Sequence, residues 1–571
     1  MCGIFALLNN ELSSADAIHK QFVRGRSRGP DNSSLDISYD SKTIFGFHRL
    51  AINGLNKESN QPLVVNDIVL MCNGEIYNYK ELYKMANATP TTDSDCEVII
   101  HLYLKYGIEQ TLQMLDGEFA FILYDERVDA YENRKMFIAR DPFGVKPLYH
   151  IIHVAEIYPY DKLYGFSSEL KCLDSFAGQN PYQYKIVQFE PGTYSEYNLP
   201  EKHSSNWIPF VNNVPYHIPA FAANRIANVD YDVEIMRNIS GFLTDAVIKR
   251  CTVTERPIAC LLSGGLDSSL TTALVNDFYK KNKYSQPLET YSIGLAGSED
   301  LKFAKIVADY LGTDHHEVIV TEQQMFDAIP GVIYAIESYD TTTVRASIGN
   351  YLIGKHISQN TNAKVIFNGD GSDELCGGYL YMNRCPDDIE FDRESRRLLK
   401  DIYLFDVLRS DKCISTHGLE PRPPFLDRSF VNYYLSISPT IRNHNNNKTC
   451  EKFLLRQSFS REYYTNYQGD QILPDEILWR RKEAFSDGVS NHGRSLFTIL
   501  QEKISEHLLA TKNVQYPTTI DTEKMYYKSL FDSYFPNSRN ILPYFWMPKY
   551  TTATDPSART LDLYSAEKKA P

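Results

Sequence analysis

The sequence predicts two domains in tandem, an antiparallel β-sheet domain followed by an α/β domain built on a parallel sheet, and three observations carry that reading. The chain has 571 residues, and domains run to about 100–200 residues each, so one ordinary core is too small an account of it. From Gly3 to about Tyr197 short apolar runs alternate with NG, DG and PFG turns, as in packed antiparallel sheets. Beyond Glu201 to Pro219, a polar stretch with prolines that reads as the connection between domains, strand-like and helix-like segments alternate, as in a parallel sheet covered on both faces.

In the first half the expected strands are Ile4–Leu8, Thr43–Phe47, Ile68–Cys72, Glu118–Tyr124, Lys135–Arg140 and Leu163–Ser167. One helix is strongly signalled. Ser94-Asp95-Cys96-Glu97 has capping-box spacing, Ile99, Leu102, Tyr103 and Tyr106 follow on one face, and Gly107 is expected to close it. Asp95 therefore falls in a first helical turn. In the second half PIACLL leads into a helix from Leu266, ETYSIGL into LKFAKIVADYLG, and AKVIFNG into GSDELCGG. The segment IRNHNNNKT is expected to be a surface loop, and the tail after about Tyr550 has no periodicity.

Hydrophobic residues at 43% and charged residues at 23% are ordinary for a globular protein. A net charge of −13 argues against nucleic acid or an anionic membrane as partner, and leaves small molecules. No apolar run approaches the ~18 residues of a spanning helix and the first residues lack a basic region, so a cytoplasmic protein is expected, not a membrane or secreted one. The ten cysteines are scattered without C-x-x-C or Cys/His metal spacing, which fits a reducing compartment. His315 and His316 are adjacent with no third ligand nearby and read as structural.

Two stretches carry chemistry. Cys2 follows the initiator methionine, and removal of Met1 would leave a thiol and a free α-amine on one residue, the amine able to take the thiol proton near neutral pH. The plain alternative is a small apolar residue opening a strand. Ser263-Gly264-Gly265-Leu266-Asp267-Ser268-Ser269 lies between an apolar strand and a helix whose Leu266, Leu270, Leu274 and Phe278 share one face. Such a loop offers free amides and hydroxyls at a positive helix terminus, which is an anion site. No lysine follows the glycines, so it is not a Walker A loop.

SGGLDSS resembles the pyrophosphate loop of the ATP pyrophosphatases. Together with LGTDHHE, IESYDTTTVRAS, GDGSDELCGGY, RPPFLD and WRRKEAFSDGV it is similar to the synthetase domain of the glutamine-hydrolysing asparagine synthetase family. MCGIF, RGPD, HRL, NGEIYN, SDCEVI, LDGEFAF and RDPFGVKPLY resemble the class II glutamine amidotransferase domain of the same family, and DPSAR its tail. The resemblance implies an αββα sandwich of the N-terminal nucleophile hydrolases over residues 2–200, an α/β ATP-pyrophosphatase domain of the adenine nucleotide alpha hydrolase type over 220–545, and a C-terminal tail over 546–571. It further implies an ATP-dependent ligase making asparagine from aspartate and glutamine through β-aspartyl-AMP, with ammonia passed between the sites. A homodimer is carried over on the same ground.

By this resemblance Cys2 is the nucleophile, Asn73 and Gly74 hold the oxyanion, and glutamine meets Arg49, Leu50, Ala51, Ile52, Asn53, Glu75 and Asp95. Alone, Asn73-Gly74 also reads as a two-residue hairpin turn, and Asp95 as helix-dipole complementarity. ATP is implied over Leu262, Ser263–Ser269, Ile293, Asn368 and Gly369, and Mg²⁺ on Asp267 and Asp373. Thr342 and Arg345 are similar to the aspartate contacts and Lys482 to the lysine that balances phosphate charge. Three residues depart from the pattern. Asp370 stands where a glutamate linked to adenylate formation is usual, Asn53 where an apolar residue is, and Ser27 where a histidine is. Competing readings are an amide- or β-lactam-forming synthetase on another acid, a non-catalytic nucleotide-binding relative, and a glutaminase with a vestigial second domain.

Overall fold

The computed structural model describes residues 1–38, 40–153, 162–179, 183–201, 206–218, 229–446, 449–483, 488–490, 494–513 and 515–561. Residue 220, the expected start of the second domain, and the last ten residues of the tail lie outside them.

Among the described residues, twelve strands build the first domain: β1 (Gly3–Leu8), β2 (Asn32–Ser38), β3 (Thr43–Arg49), β4 (Leu63–Val65), β5 (Ile68–Ile76), β6 (Gly117–Asp125), β7 (Asn133–Arg140), β8 (Tyr149–His153), β9 (Tyr164–Ser167), β10 (Tyr184–Gln188), β11 (Thr193–Pro200) and β12 (Ile208–Pro215). They form two six-stranded sheets, ordered β10-β8-β9-β1-β3-β2 and β12-β11-β7-β6-β5-β4. Alternate residues of each strand face alternate ways. Ile4, Ala6, Leu8, Phe45 and Phe47 meet Met71, Ala120, Ile122, Met136 and Ile138 between the sheets. Phe5 and Leu7 point outward onto Ile18 and Phe22 of helix Ala15–Phe22. On the other side Leu70, Phe119 and Phe121 face Leu82, Ile99 and Leu102 of the helices Tyr79–Ala86 and Val98–Met114. This is the αββα sandwich that the resemblance implies.

Three local expectations are corrected. The expected connection between domains contains β12, an edge strand paired with β11, and an edge tolerates Pro209 and Pro215 because part of its backbone needs no ladder partner. Trp207 anchors it, fully buried, with its indole N–H donating to the Ser41 carbonyl at 2.8 Å. The first domain therefore extends past residue 200. Gly107 closes the helix as expected, at φ 75° and ψ 174°, and a second helical run follows it directly to Met114. The Glu97 carboxylate accepts from the amides of Thr91 and Thr92, not from Ser94, so the capping box is not formed as spaced. The third correction concerns IRNHNNNKT. Its Arg442, Asn443 and His444 are buried, bonded to Asp392, Asp388 and Asn383 respectively; Asn447 and Lys448 lie outside the described residues.

In the second domain β13 (Ile258–Leu261), β14 (Glu289–Leu295), β15 (Asp314–Val320), β16 (Val365–Phe367) and β17 (Glu420–Arg422) form one parallel sheet, ordered β15-β14-β13-β16-β17. Ile258, Cys260, Val365 and Phe367 pack with Leu270 and Leu274 of helix Leu266–Lys281. Ala259, Ile293 and Ile366 pack on the opposite face with Val344 and Ile348 of helix Thr341–Asn360. The tail, aperiodic in sequence, closes on this core: Asp555 accepts from Arg345, and the Trp546 amide donates to Asp340 at 2.8 Å. No helix among the described residues is long and apolar enough to cross a membrane.

The domains meet across buried charge. Glu337, at φ 56° and 1% exposed, accepts from the amides of Leu170 and Lys171 at 2.8 Å each and from Lys412. Glu169 is paired with Arg28 at 2.8 Å, with Lys412 at 3.2 Å and with Lys171. Burial alone would push the Glu169 carboxyl up, but the Lys171, Lys412 and Arg28 cations outweigh it and hold the group well below the usual range. Removing one member of such a cluster strands the others. Glu337→Ala is expected to cost about 3–5 kcal/mol of stability, read as a lowered urea midpoint of the full chain.

Candidate functional site

Cys2 opens β1 at the seam between the sheets and the second domain. Its Sγ lies 3.6 Å from the Leu50 carbonyl, and its own carbonyl accepts from Arg28 Nε at 2.8 Å. Met1 precedes it, buried, with its amine donating to the Leu419 carbonyl of the second domain at 3.3 Å. Burial lowers that amine to about 6 and pushes the Cys2 thiol up. With Met1 in place the Cys2 nitrogen is a peptide amide and no base.

Asn73 and Gly74 do not turn a hairpin. They lie inside β5, opposite Ala120 and Phe119 of β6. A Cβ on Gly74 would stand 2.2 Å from the Glu118 carbonyl oxygen, so only glycine fits this pairing. Asn73 is fully buried; its Nδ2 donates to Ser168 Oγ at 3.4 Å, and its Oδ1 has no partner. Ser168 Oγ also accepts from the Ile4 amide at 3.0 Å, which ties Asn73 to the strand that carries Cys2. Sequence reasoning missed Ser168, since nothing in its local context sets it apart from a strand-end serine.

Beside this pair lie Glu75 and Asp95, both buried. Burial pushes the Asp95 carboxyl to about 6 even though it accepts from the Ile76 amide at 2.6 Å. Glu75 is pushed well up by burial and by the like charges of Asp95 and Glu420. Two desolvated carboxylates side by side favour a bound cation. Asn53 donates to Glu75 and reaches the Val253 carbonyl at 3.4 Å. The segment Leu50–Gly54 is gripped from the second domain: the Ala51 carbonyl accepts from Arg256 Nε at 2.8 Å, the Ile52 carbonyl from the Glu255 amide at 3.0 Å, and the Gly54 amide donates to Glu255 at 2.7 Å. Arg49, expected to meet glutamine, is already engaged within the protein. Both its amino groups are given to the Asn53, Gly54 and Asn56 carbonyls and to Asn60 Oδ1, so a carboxylate could take the fork only in exchange for those loop contacts.

The second site is a cavity of about 210 Å³, set where β13, β14 and β16 end, the place where open parallel sheets bind ligands. Leu262, Ser263, Gly265, Leu266, Asp267 and Ser268 line it, as do Ile293, Asn368, Gly369, Asp370, Thr342, Asp373 and Lys482. Gly264 and Ser269 stand behind the wall. Gly264 has φ 71°, and a Cβ there would lie 2.5 Å from Phe303 and Ala304, so it lets the loop fold over the next helix and not toward a ligand. Ser269 is fully buried, its hydroxyl without a partner.

Asp267 and Asp373 converge on two cations. Lys452 Nζ lies 2.6 Å from Asp267 and 2.5 Å from Asp373, and Lys482 Nζ lies 2.5 Å from Asp373. Burial pushes the Asp373 carboxyl up, but the two ammonium groups outweigh it and hold it well below the usual range. Asp370 pairs with Arg409 at 3.0 Å, and Arg409 also with Asp406 at 2.9 Å. Lys452 and Arg409 carry no local motif; the fold alone brings them to the loop. Arg345, expected against the substrate, is a correction. It does not line the cavity, and its guanidinium is spent on Glu523 and Asp555, at 2.6–2.9 Å.

Residues 1–189 match a glutamine amidotransferase domain, and residues 238–389 and 385–540 match asparagine synthase. The asparagine synthetase [glutamine-hydrolyzing] of Gallus gallus is 40% identical over 584 residues, covering 99% of both chains. That of Homo sapiens is 39% identical over 592 residues, covering 100% of both. The chain belongs to the glutamine-hydrolysing asparagine synthetase family.

In this chain the two sites are separate constellations, one at the start of β1 and on β5, the other beyond β13 and β16, so a lesion in one should spare the other. Gly264→Ala forces the nucleotide loop off Phe303, and a displacement of about 1 Å can cost about 100-fold in rate. The expected outcome is that loss in aspartate-dependent pyrophosphate release, with glutamate release from glutamine kept.

Proposed function

We propose that the chain makes L-asparagine from L-aspartate, L-glutamine and ATP, with L-glutamate, AMP and pyrophosphate as the other products. The observation that carries this reading is that one chain holds Cys2 two residues before Ile4, whose amide shares Ser168 Oγ with Asn73, and, in a second cavity, a glycine loop at a helix N-terminus facing paired Asp and Lys residues.

In the first site, removal of Met1 turns the Cys2 nitrogen into a terminal amine that can take the thiol proton. The sulfur attacks the glutamine amide carbon, and the Asn73 amide and Gly74 N–H hold the oxyanion, each such donor being worth about 10²–10³ in rate. Ammonia leaves, and water then releases glutamate from the thioester. Glu75 and Asp95 meet the substrate ammonium.

In the second site the Ser263–Ser269 loop and the start of helix Leu266–Lys281 hold the ATP phosphates, with adenine against Leu262 and Ile293 and the Asn368-Gly369 edge. The aspartate β-carboxylate attacks the α-phosphorus, pyrophosphate leaves, and ammonia displaces AMP from the acyl adenylate. Activation is needed because a carboxylate is a poor electrophile. Thr342, near the start of helix Thr341–Asn360 with its hydroxyl unpartnered, suits an aspartate carboxylate, and Asp370 lines the same cavity. Asp267 and Asp373 converge on one ammonium, so the donor set fits a cation, and they would hold Mg²⁺ together with phosphate oxygens. When bound, Mg²⁺ supplies neutralisation of phosphate charge. Lys452 and Lys482 would then turn their ammonium groups to the departing pyrophosphate.

Two measurements test this. Cys2→Ala should abolish glutamine-dependent asparagine formation while synthesis from added ammonia persists; loss of both, or pyrophosphate release without aspartate, overturns the reading. The carboxyl of Asp95, raised to about 6, is charged above that pH and neutral below it. Glutamine kcat/KM should therefore fall as pH drops through about 6, and Asp95→Asn should flatten that limb.

A further inference from the structure

One wall of the nucleotide cavity comes from the last segment of the chain. Trp546 lines it beside Tyr379 and Phe405. It is 7% exposed, and its ring packs on Tyr379 and Tyr381 with centroids 5.5 and 6.1 Å away. Its backbone is held as firmly. The Trp546 amide donates to Asp340 Oδ1 at 2.8 Å, while Asp340 Oδ2 accepts from the amide and the hydroxyl of Thr343, both at 2.8 Å, and so caps helix Thr341–Asn360. One fully buried carboxylate thus pins Trp546 to the helix start that presents Thr342.

The same helix shows which end of the cavity Trp546 closes. Thr342 and Ala346 line it near the helix N-terminus, Asn350 and Ile353 further on. At ~1.5 Å per residue, Thr342 and Ile353 stand ~16 Å apart along the axis. Tyr291, another lining residue, lies with its ring 6.3 Å from that of His356, beyond Ile353 on this helix. The β14 side, where the proposed adenine contact Ile293 lies, is therefore the far end, and Trp546 belongs to the near one.

We propose that Trp546 sets the length of the acid that this chain activates, admitting aspartate and excluding glutamate. The nucleotide, held by the Ser263–Ser269 loop, fixes the α-phosphorus, and Thr342 fixes the other end of the acid, so one further methylene has to be taken up against the end wall. An indole packed on two tyrosines and tied to Asp340 gives way only by leaving its rotamer or shifting its backbone, and both are unfavourable. A pocket reads a single methylene in this way to about 10–200-fold. Thr342 and the glycine loop act on both acids alike, so the distinction falls to the wall.

The inference rests on the proposed asparagine synthesis, and its failure is separable from the failure of that reading. Pyrophosphate release by the full chain is measured with ATP and Mg²⁺ and either L-aspartate or L-glutamate as the acid. Added ammonia is the nitrogen donor, because glutamine would itself supply glutamate. Glutamate, once admitted, reacts in the same sequence: its γ-carboxylate oxygen attacks the α-phosphorus, pyrophosphate leaves, and ammonia displaces AMP to give glutamine. Trp546→Ala should lower the ratio of aspartate to glutamate kcat/KM at least about 10-fold, chiefly by a gain on glutamate, and Trp546→Phe, which keeps an aromatic ring against Tyr379, should lower it less. A merely structural role would reduce kcat/KM for both acids together and leave the ratio where it was. An unchanged ratio in a folded Trp546→Ala variant, or in Trp546→Phe should Trp546→Ala not fold, overturns the inference. No aspartate-dependent pyrophosphate release from the unaltered chain overturns instead the function on which it stands.

Discussion

Glu337 sits in a left-handed backbone conformation that a glutamate adopts only at a cost of about 1–3 kcal/mol, and it does so to place one carboxylate on two amides of the first domain and on Lys412 of the second. Around it Glu169, Lys171, Arg28 and Asp411 complete a cluster with almost no access to water. Taking charges out of water is expensive and is recovered only when every partner is in place. The cluster therefore fixes the relative position of the domains far more sharply than apolar contact could, since apolar surfaces slide with little change in energy.

That fixed position is what makes two chemistries one enzyme. Arg28, a member of the cluster, holds the carbonyl of Cys2, while Ser168, next to Glu169, holds Asn73. On the far side the segment that grips Leu50–Gly54 runs straight into β13 and the Ser263–Ser269 loop. The first site is thus braced from the second domain, whereas the cavity is lined by second-domain residues alone.

Much of this was legible in the residues. Five of the six expected strands lie within observed strands and the sixth, Leu163–Ser167, overruns β9 by one residue, because alternation along a half-buried sheet leaves a period of two, and Leu266–Phe278 marked its helix because one face meets the sheet. The loop from Ser263 to Ser269 and Cys2 were legible because their chemistry demands particular residue types at fixed spacing. Other features were not. β12 read as a linker because an edge strand needs few apolar residues and tolerates proline. IRNHNNNKT read as surface because asparagines usually face water, whereas here partly buried Asn383, Asp388 and Asp392 partner the buried Arg442, Asn443 and His444. Gly107 read as a stop and does end its helix, but nothing local says that a second helix follows at once.

By itself, then, the sequence determined which reactive groups exist and the local backbone that presents each of them: the thiol at the chain start, the glycine loop before a helix, Asp95 in a first turn. Tertiary structure alone decided which charges face one another. Arg345 and Arg49 are given to acceptors within the protein, and Lys452 and Arg409 are brought to a cavity no motif assigns them. The reason is physical: a backbone conformation depends on neighbours in sequence, whereas the pairing of a buried charge depends on whichever opposite charge the folded chain brings within a few ångströms, often hundreds of residues away.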